Sequence, residues 1–177
     1  MSGMDGILKT HFDKFRDKGL LPPELCDHDH CEGMKLFNDK ELMAAWRNNF
    51  KGIRWKDSKG NILGGAVDNI LIKGKKLIVL DYKTRGYALK EDTAEKYQRQ
   101  LNIYNFLLRK NDYETEDYGF LLFYYPKEVL ENGDMVFHKE LVKMKTYPLD
   151  GEKVFNKAIK MLNEDCPKKS CEWCGKV

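Results

Sequence analysis

An amphipathic helix is predicted near the start of the chain, because apolar residues recur there at helical intervals. These residues are Ile7, Leu8, Phe12 and Phe15. Gly19, followed by Pro22-Pro23, predicts the end of this helix. Asn38 and Glu41 have the spacing of a capping box, so a second helix is predicted to begin at Asn38, and Gly52 predicts its end.

The central part of the chain is predicted to form strands joined by short turns. The predicted strands are Ile53–Trp55, Ile62–Ile72, Leu77–Asp81, Gly119–Tyr125 and Met135–Tyr147. Turns are predicted at residues 57–60 and 73–75. Because the second turn is so short, the strands on either side of it are predicted to be antiparallel neighbours.

Two further helices complete the predicted order of elements. Asp92 and Glu95 predict the N-terminal cap of a long helix over residues 93–110. A last amphipathic helix is predicted from Val154, Ala158, Ile159 and Leu162. This order predicts one α/β domain over residues 1–177, a mixed β-sheet flanked by helices, with a cysteine-containing tail at 164–177.

The composition agrees with a folded domain. The chain has 177 residues, of which 42% are apolar, so it can bury a sizeable core. No apolar run approaches the roughly 20 residues that a membrane span needs. The first residues lack the basic flank and apolar stretch of a secretory signal, so a cytoplasmic protein is expected.

Charge is distributed unevenly along the chain. The 31 basic and 28 acidic residues give a net charge of only +3. Residues 51–110, however, carry a net charge of +8, and residues 111–137 carry a net charge of −6. Such a division favours one positive face, which is typical of a site for a polyanion, although a solvated lysine-rich surface has the same composition.

Five cysteines are present, and three of them are closely spaced near the end of the chain. Cys166, Cys171 and Cys174 form a Cys-x4-Cys-x2-Cys pattern, which is a spacing used by metal ligands. The odd number of cysteines and the absence of a signal favour reduced thiols over a disulfide framework.

Two carboxylates interrupt the predicted hairpin. Asp68 lies within Ile62–Ile72, and Asp81 ends the partner strand, with Lys83 two positions further on the same side. Antiparallel pairing would bring Asp68 close to Asp81. Two acids and a lysine are costly to bury unless a divalent cation neutralises the acids. The alternative is an ordinary Asp–Lys salt bridge at the end of a surface hairpin.

These residues belong to a longer set of motifs that resembles a known nuclease superfamily. Gly65-Ala-Val-Asp68, Asp81-Tyr-Lys83 and Gln100-x3-Tyr104 occur in the order found in PD-(D/E)XK nucleases, and most closely in the RecB-like branch. That branch includes exonuclease domains of recombination complexes and CRISPR adaptation nucleases. The resemblance spans roughly residues 6–125 and implies a restriction-endonuclease-like α/β core.

The resemblance also implies roles for the matching residues. Asp68 and Asp81 would bind Mg²⁺ or Mn²⁺ together with the backbone carbonyl of Tyr82, and Lys83 would be the catalytic cation. Gln100 and Tyr104 share one helix face and would support the lysine or contact DNA, with core packing of Tyr104 as the alternative. His11 matches the metal ligand of the first family helix, although a structural role is common for such a histidine. Glu41 is the fallback acid for that position.

Many RecB-like members hold an iron–sulfur cluster with one cysteine before the first helix and three near the C-terminus. This sequence has no cysteine before His11 and none after Cys174. Cys26 or Cys31 would have to supply the fourth ligand, so the expectations are a [4Fe–4S] cluster, a Zn²⁺ site or no bound metal. His28 and His30 are additional candidate zinc ligands.

The expected function is a metal-dependent DNA nuclease that leaves a 5′-phosphate. By resemblance it is expected to be an exonuclease acting on single-stranded DNA or duplex ends. The candidate phosphate contacts are Arg85, Lys90, Lys96 and Arg99, and such contacts imply little sequence specificity. The alternatives are a catalytically silent module that binds DNA or a partner, a restriction-type endonuclease, and a subunit of a helicase or recombination complex. The aromatic strand at residues 120–125 is expected to belong to the core, and if exposed it would be the surface for such a partner.

Overall fold

A computed structural model describes residues 3–165 of the protein. The α-helices in this part are α1 (Gly3–Asp17), α2 (Pro23–Cys26), α3 (Lys40–Arg47), α4 (Gln98–Lys110) and α5 (Pro148–Leu162). The strands are β1 (Met34–Leu36), β2 (Ile53–Lys56), β3 (Ile62–Gly65), β4 (Asn69–Lys73), β5 (Lys76–Thr84), β6 (Tyr118–Val129) and β7 (Met135–Lys145). Short 3-10 turns lie at Asp29–Cys31 and Ala94–Tyr97.

Five strands form one mixed sheet, and the other two form a separate hairpin. The order in the large sheet is β1-β4-β5-β6-β7, and β2 pairs with β3. β5 and β6 are parallel, whereas the other neighbours are antiparallel. A parallel pair needs a crossover connection, which α4 supplies between these two strands. This architecture confirms the predicted mixed sheet flanked by helices.

Each face of the sheet has its own hydrophobic core. On one face, Phe12 of α1 packs with Leu80 and Leu122, and on the other face Leu101 of α4 packs with Val79 and Leu121. Successive side chains of a strand alternate between faces. Asp81 and Lys83 therefore follow Val79 onto the face that α4 covers.

The predicted first helix is confirmed, and the second begins one residue later than predicted. α1 ends at Asp17 and is followed by Gly19, whose φ of 67° lies in the left-handed region that glycine tolerates best. The N-cap of α3 is Asp39 rather than Asn38, because the Asp39 carboxylate accepts a hydrogen bond from Leu42 N at 2.8 Å.

The predicted strand Ile62–Ile72 is wrong, since two strands in two sheets occupy that range. β3 ends at Gly65, and β4 begins at Asn69. Residues 66–68 connect the hairpin to the large sheet, and Val67 N donates to Trp46 O at 3.1 Å. Asp68 consequently lies in this connection, directly before the first residue of β4.

The predicted helix over residues 93–110 is also partly wrong. Residues 94–97 form a 3-10 turn without a side-chain cap, and the α-helix begins at Gln98. Asp92 forms an ion pair with Lys96 at 2.9 Å instead of capping the turn. The tighter turn precedes the α-helix and carries Tyr97, whose position matters for the candidate site.

The aromatic strand at residues 120–125 belongs to the core. Phe120, Leu121, Leu122 and Phe123 have no exposed surface. This strand is therefore not a surface for a partner protein. None of the helices in residues 3–165 combines the length and the apolar character needed to cross a membrane.

Candidate active site

One series of polar contacts joins β5 to α4. Asp81 is only 2% exposed and forms an ion pair with the ammonium of Lys83. Lys83 Nζ also donates to Gln100 Oε1 at 2.9 Å, and Gln100 Nε2 donates to the Tyr104 hydroxyl oxygen at 2.7 Å. Four of the residues named by the sequence motifs are thus connected in a single line.

The second carboxylate reaches the same place through the pairing of β4 with β5. Asn69 pairs with Leu80 in this antiparallel ladder, so Asp68 lies beside the segment that contains Asp81. One carboxylate oxygen of Asp68 accepts a hydrogen bond from Tyr82 N at 2.9 Å. Asp68 and Asp81 are called the acidic pair below. The role of the Tyr82 carbonyl as a metal ligand stays a prediction.

The environment of Asp81 disfavours its charged form. Burial, and after it the negative charge of Asp68, raises the pKa of Asp81 to about 6. The Lys83 ammonium acts in the opposite direction but does not cancel these effects. Oδ2 of Asp81 is buried and is the oxygen that pairs with the Lys83 ammonium. A divalent cation beside the acidic pair would therefore stabilise the charged form of Asp81.

Gly65 of the first motif is explained by the position of Tyr104. A Cβ atom at residue 65 would lie 2.7 Å from Cε1 of Tyr104, which is closer than two non-bonded carbon atoms approach each other. Tyr104 is buried in the core on the α4 face, as its core-packing alternative predicted. Its hydroxyl also accepts the bond from Gln100, so packing and support of the lysine are combined in one residue.

The first helix contributes to the site, but not through His11. Lys9 Nζ lies 3.0 Å from Oδ1 of Asp68 and 2.9 Å from Oδ2 of Asp5. His11 instead lies 3.2 Å from a carboxylate oxygen of Glu24, with its ring against Phe15. Two positions along a helix turn the side chain by about 200°, so Lys9 and His11 face different directions.

The sequence motifs did not indicate Lys9, Asp5 or Tyr97. The only signal for Lys9 is its i, i+4 spacing from Asp5, which is common on exposed helices. The ring centroid of Tyr97 lies 4.6 Å from Lys83 Nζ, a cation–π distance, and the ring also packs on Phe123. Tyr97 is three residues before Gln100, and this spacing could have indicated that the two side chains lie on the same side of a helical segment.

Glu41, the fallback acid, is exposed in the first turn of α3 and has no bond to the acidic pair. Cys26 is exposed, and Cys31 is buried in the α1-side core, where burial raises the pKa of its thiol to about 11. A thiol that stays protonated is a poor metal ligand.

Cys166, Cys171 and Cys174 lie outside the described residues, so the cluster stays a prediction. His28 is half-buried, and His30 is exposed beside it. Within residues 3–165, no group of three or more His, Cys, Asp or Glu side chains is placed to hold a metal ion.

The acidic pair nevertheless fits Mg²⁺ or Mn²⁺. These hard cations prefer oxygen ligands, and Mg²⁺ is commonly held by one or two carboxylates, with water and substrate phosphates completing its shell. Asp68 and Asp81 supply two neighbouring carboxylates of the kind that such a cation binds. A closed cage of three or four protein ligands is not required for such a site.

The four candidate phosphate contacts lie between Lys83 and Gln100 in the sequence. Arg85 follows β5 directly, and its guanidinium lies 4.6 Å from the ring centroid of Tyr87. Lys96 is exposed and forms an ion pair with Asp92 at 2.9 Å. The other two, Lys90 and Arg99, are exposed and form no ion pair with any residue of 3–165.

Comparison with known families identifies the superfamily of the chain. The family model of the PD-(D/E)XK nuclease superfamily matches residues 27–176, and the chain therefore belongs to this superfamily. Its members are generally nucleases that hydrolyse phosphodiester bonds, and they usually use Mg²⁺ or a similar divalent cation. No curated protein and no solved structure matches the chain. The superfamily and its restriction-endonuclease-like fold, both predicted from the sequence, are confirmed.

The raised pKa of Asp81 predicts a pH-dependent cost to stability. Between about pH 4 and pH 6 the folded metal-free protein retains a proton on Asp81 that the unfolded chain has lost, so the contribution of Asp81 to the free energy of unfolding falls as pH rises. Asp81→Asn mimics the neutral form at every pH. We expect this variant to gain about 2–3 kcal/mol over wild type between pH 4 and pH 8, measured by urea denaturation in EDTA. An advantage of equal size at both pH values would contradict this account of Asp81.

Proposed function

We propose that the protein is a Mg²⁺- or Mn²⁺-dependent deoxyribonuclease of the RecB-like branch, which hydrolyses phosphodiester bonds and leaves a 5′-phosphate. The observation that carries the proposal is the meeting of the acidic pair with Lys83, which Gln100 and Tyr97 hold from α4 and the turn before it. Membership in the superfamily supports the reaction class. The branch, the metal and the DNA substrate are part of the proposal.

The residues of the site have distinct roles in this reaction. Asp68 and Asp81 would hold the cation, which would act as a Lewis acid on the scissile phosphate and lower the pKa of a bound water. Lys83 orients the attacking water and stabilises charge on the phosphate oxygens. Gln100 fixes the direction of the lysine, and the packed Tyr104 ring fixes Gln100.

Lys83 has little freedom to leave this position. Its ammonium contacts a carboxylate, an amide oxygen and the face of an aromatic ring, and its side chain is 16% exposed. A positioned cation needs no reorganisation when charge develops on the substrate, which is the usual source of electrostatic rate enhancement. The geometry is therefore better suited to catalysis than the isolated Asp–Lys salt bridge of a surface hairpin.

We further propose that DNA enters over the segment between β5 and α4. Arg99 and Lys90 are exposed without ion pairs in the described part, so their charges are available to phosphates. Contacts of this kind position the backbone without reading bases, and they support low sequence specificity. Exonuclease action on single strands or duplex ends is proposed from the resemblance alone.

One observation favours the alternative of a catalytically silent DNA- or partner-binding module. Lys9 Nζ occupies Oδ1 of Asp68, an oxygen that a metal ion would need. The nuclease is still the better supported function, because Asp68, Asp81 and Lys83 are all present, Lys83 pairs with Asp81, and the charge of Asp68 acts on Asp81.

Cleavage of end-labelled single- and double-stranded DNA tests the nuclease directly. We expect cleavage with Mn²⁺ or Mg²⁺ that stops in EDTA, and a loss of at least about 100-fold in rate in Lys83→Met, which keeps the apolar stem but removes the charge. Lys76→Met is the matched control, because Lys76 lies on the same strand but is exposed and pairs with Glu116 at 3.5 Å.

The pattern of products then separates an exonuclease from an endonuclease. Equal rates in Lys83→Met and wild type would contradict the role of Lys83. Salt-sensitive DNA binding by a wild-type protein that never cleaves would favour the silent module.

The proposed DNA path predicts a specific loss of salt dependence. Each phosphate contact contributes about 0.7 to the slope of log affinity against log salt for single strands. We expect Arg99→Gln to lower this slope by about that amount, measured by fluorescence anisotropy in EDTA between about 50 and 300 mM salt. Lys127→Gln, in the distant half of the β6 strand, should leave the slope unchanged. A slope that is unaffected by Arg99→Gln would place the DNA elsewhere.

A further inference from the structure

An arginine of α3 holds the backbone of Asp68. Arg47 Nε donates to the carbonyl oxygen of Asp68 at 2.7 Å. The same guanidinium donates from Nη1 to both carboxylate oxygens of Asp13, at 2.9 and 2.8 Å. Arg47 therefore connects α3 to α1 and to the connection before β4, three segments that are distant in the sequence.

A second arginine extends the network to the residue after Asp68. Arg16 is 3% exposed, pairs with Asp13, and donates from Nε to Phe37 O at 2.7 Å. It also donates to the side-chain oxygen of Asn69, whose Nδ2 donates to the Tyr82 hydroxyl at 2.7 Å. Asn69 is fully buried. The side chain next to Asp68 is thus held from both sides.

Asp68 is restrained at each of its polar groups. Tyr82 N and Lys9 contact its two carboxylate oxygens, and Arg47 contacts its carbonyl. Because residues 66–68 lie between two sheets, the strand ladder alone does not fix this residue. The arginine contacts supply the restraint that a regular strand would otherwise provide.

The buried charges of this network are expected to contribute little net stability to the fold. Two guanidinium groups share the single carboxylate of Asp13, and Arg47 Nη2 is buried without a hydrogen-bond partner among residues 3–165. Buried charges of this kind are often no more stabilising than apolar side chains of the same volume. What the network does in addition is to fix the position of Asp68.

We infer that Arg47 and Asp13 are positioning residues that hold Asp68 in the geometry needed to bind the divalent cation. This inference rests on the proposed role of Asp68 as a metal ligand. Contacts behind metal ligands orient them, and their loss typically lowers metal affinity 10- to 100-fold. The network is therefore expected to set metal affinity as well as stability.

Binding of Mn²⁺ to the folded protein, measured by isothermal titration calorimetry and by the EPR signal of free Mn²⁺, tests the inference without an activity assay. Arg47→Lys keeps a charge that can pair with Asp13, but a single ammonium cannot reproduce the fork of bonds to Asp13 and Asp68. Asp13→Asn removes the shared charge but keeps the shape of the side chain and one oxygen that can accept from Arg47. Arg109→Lys is the matched control, since Arg109 bonds Thr115 and Asp117 far from the acidic pair in the sequence.

We expect wild type to bind Mn²⁺ and Asp68→Asn to lose binding. Arg47→Lys and Asp13→Asn should weaken binding about 10-fold or more, whereas Arg109→Lys should lower the melting temperature without changing affinity. Folded Arg47→Lys and Asp13→Asn proteins with wild-type affinity would overturn the inference and leave the proposed function intact. If Arg47→Lys does not fold, Asp13→Asn decides alone. Unchanged binding in Asp68→Asn, or no binding by wild type, would overturn the proposed function and the inference together.

Discussion

Two carboxylates placed side by side at the edge of a hydrophobic core are the constraint on which this structure depends. Asp81 is almost fully buried, and the charge of Asp68 adds to the cost of ionising it. Each acid has a lysine partner, Lys83 for Asp81 and Lys9 for Asp68. The two lysines come from opposite sides of the sheet, so the site is complete only when both α1 and β5 are in place.

A few local features of the fold produce this arrangement. The break between β3 and β4 places Asp68 just outside a strand, where its carboxylate can accept the Tyr82 amide. The alternation of β5 turns Asp81 and Lys83 toward α4. Gly65 leaves room for the Tyr104 ring, which in turn anchors Gln100 against the lysine. The glycine and tyrosine of the separate motifs are therefore parts of one packing contact.

The sequence predicted those parts of the molecule that depend on local periodicity and on the spacing of motifs. Alternation along β5 and a short turn were enough to place Asp68 near Asp81, and helical spacing placed Gln100 beside Tyr104. The start of α4, the N-cap of α3 and the break at residues 66–68 were missed, because each depends on competing local contacts. An N-cap side chain, for example, contributes only about 1 kcal/mol, and Asn and Asp are nearly equal in this role.

The contribution of α1 could not be predicted, because it depends on how the helix docks. Phe12 packs against Tyr82 with ring centroids 4.7 Å apart, and this contact sets which side of α1 faces Asp68. The rotation brings Lys9 to the site and leaves His11 with Glu24. Arg47 and Asp13 are 34 positions apart, so no local pattern could have indicated their contact.

The proposed reaction needs a divalent cation bound by both Asp68 and Asp81. A crystal of the protein grown with Mn²⁺ and measured at the manganese absorption edge would locate that cation by its anomalous scattering. We expect a peak within about 2.0–2.3 Å of a carboxylate oxygen of each acid, with Lys9 displaced from Asp68. A Mn²⁺-saturated crystal with the Lys9–Asp68 pair intact and no peak at the acidic pair would contradict the central claim.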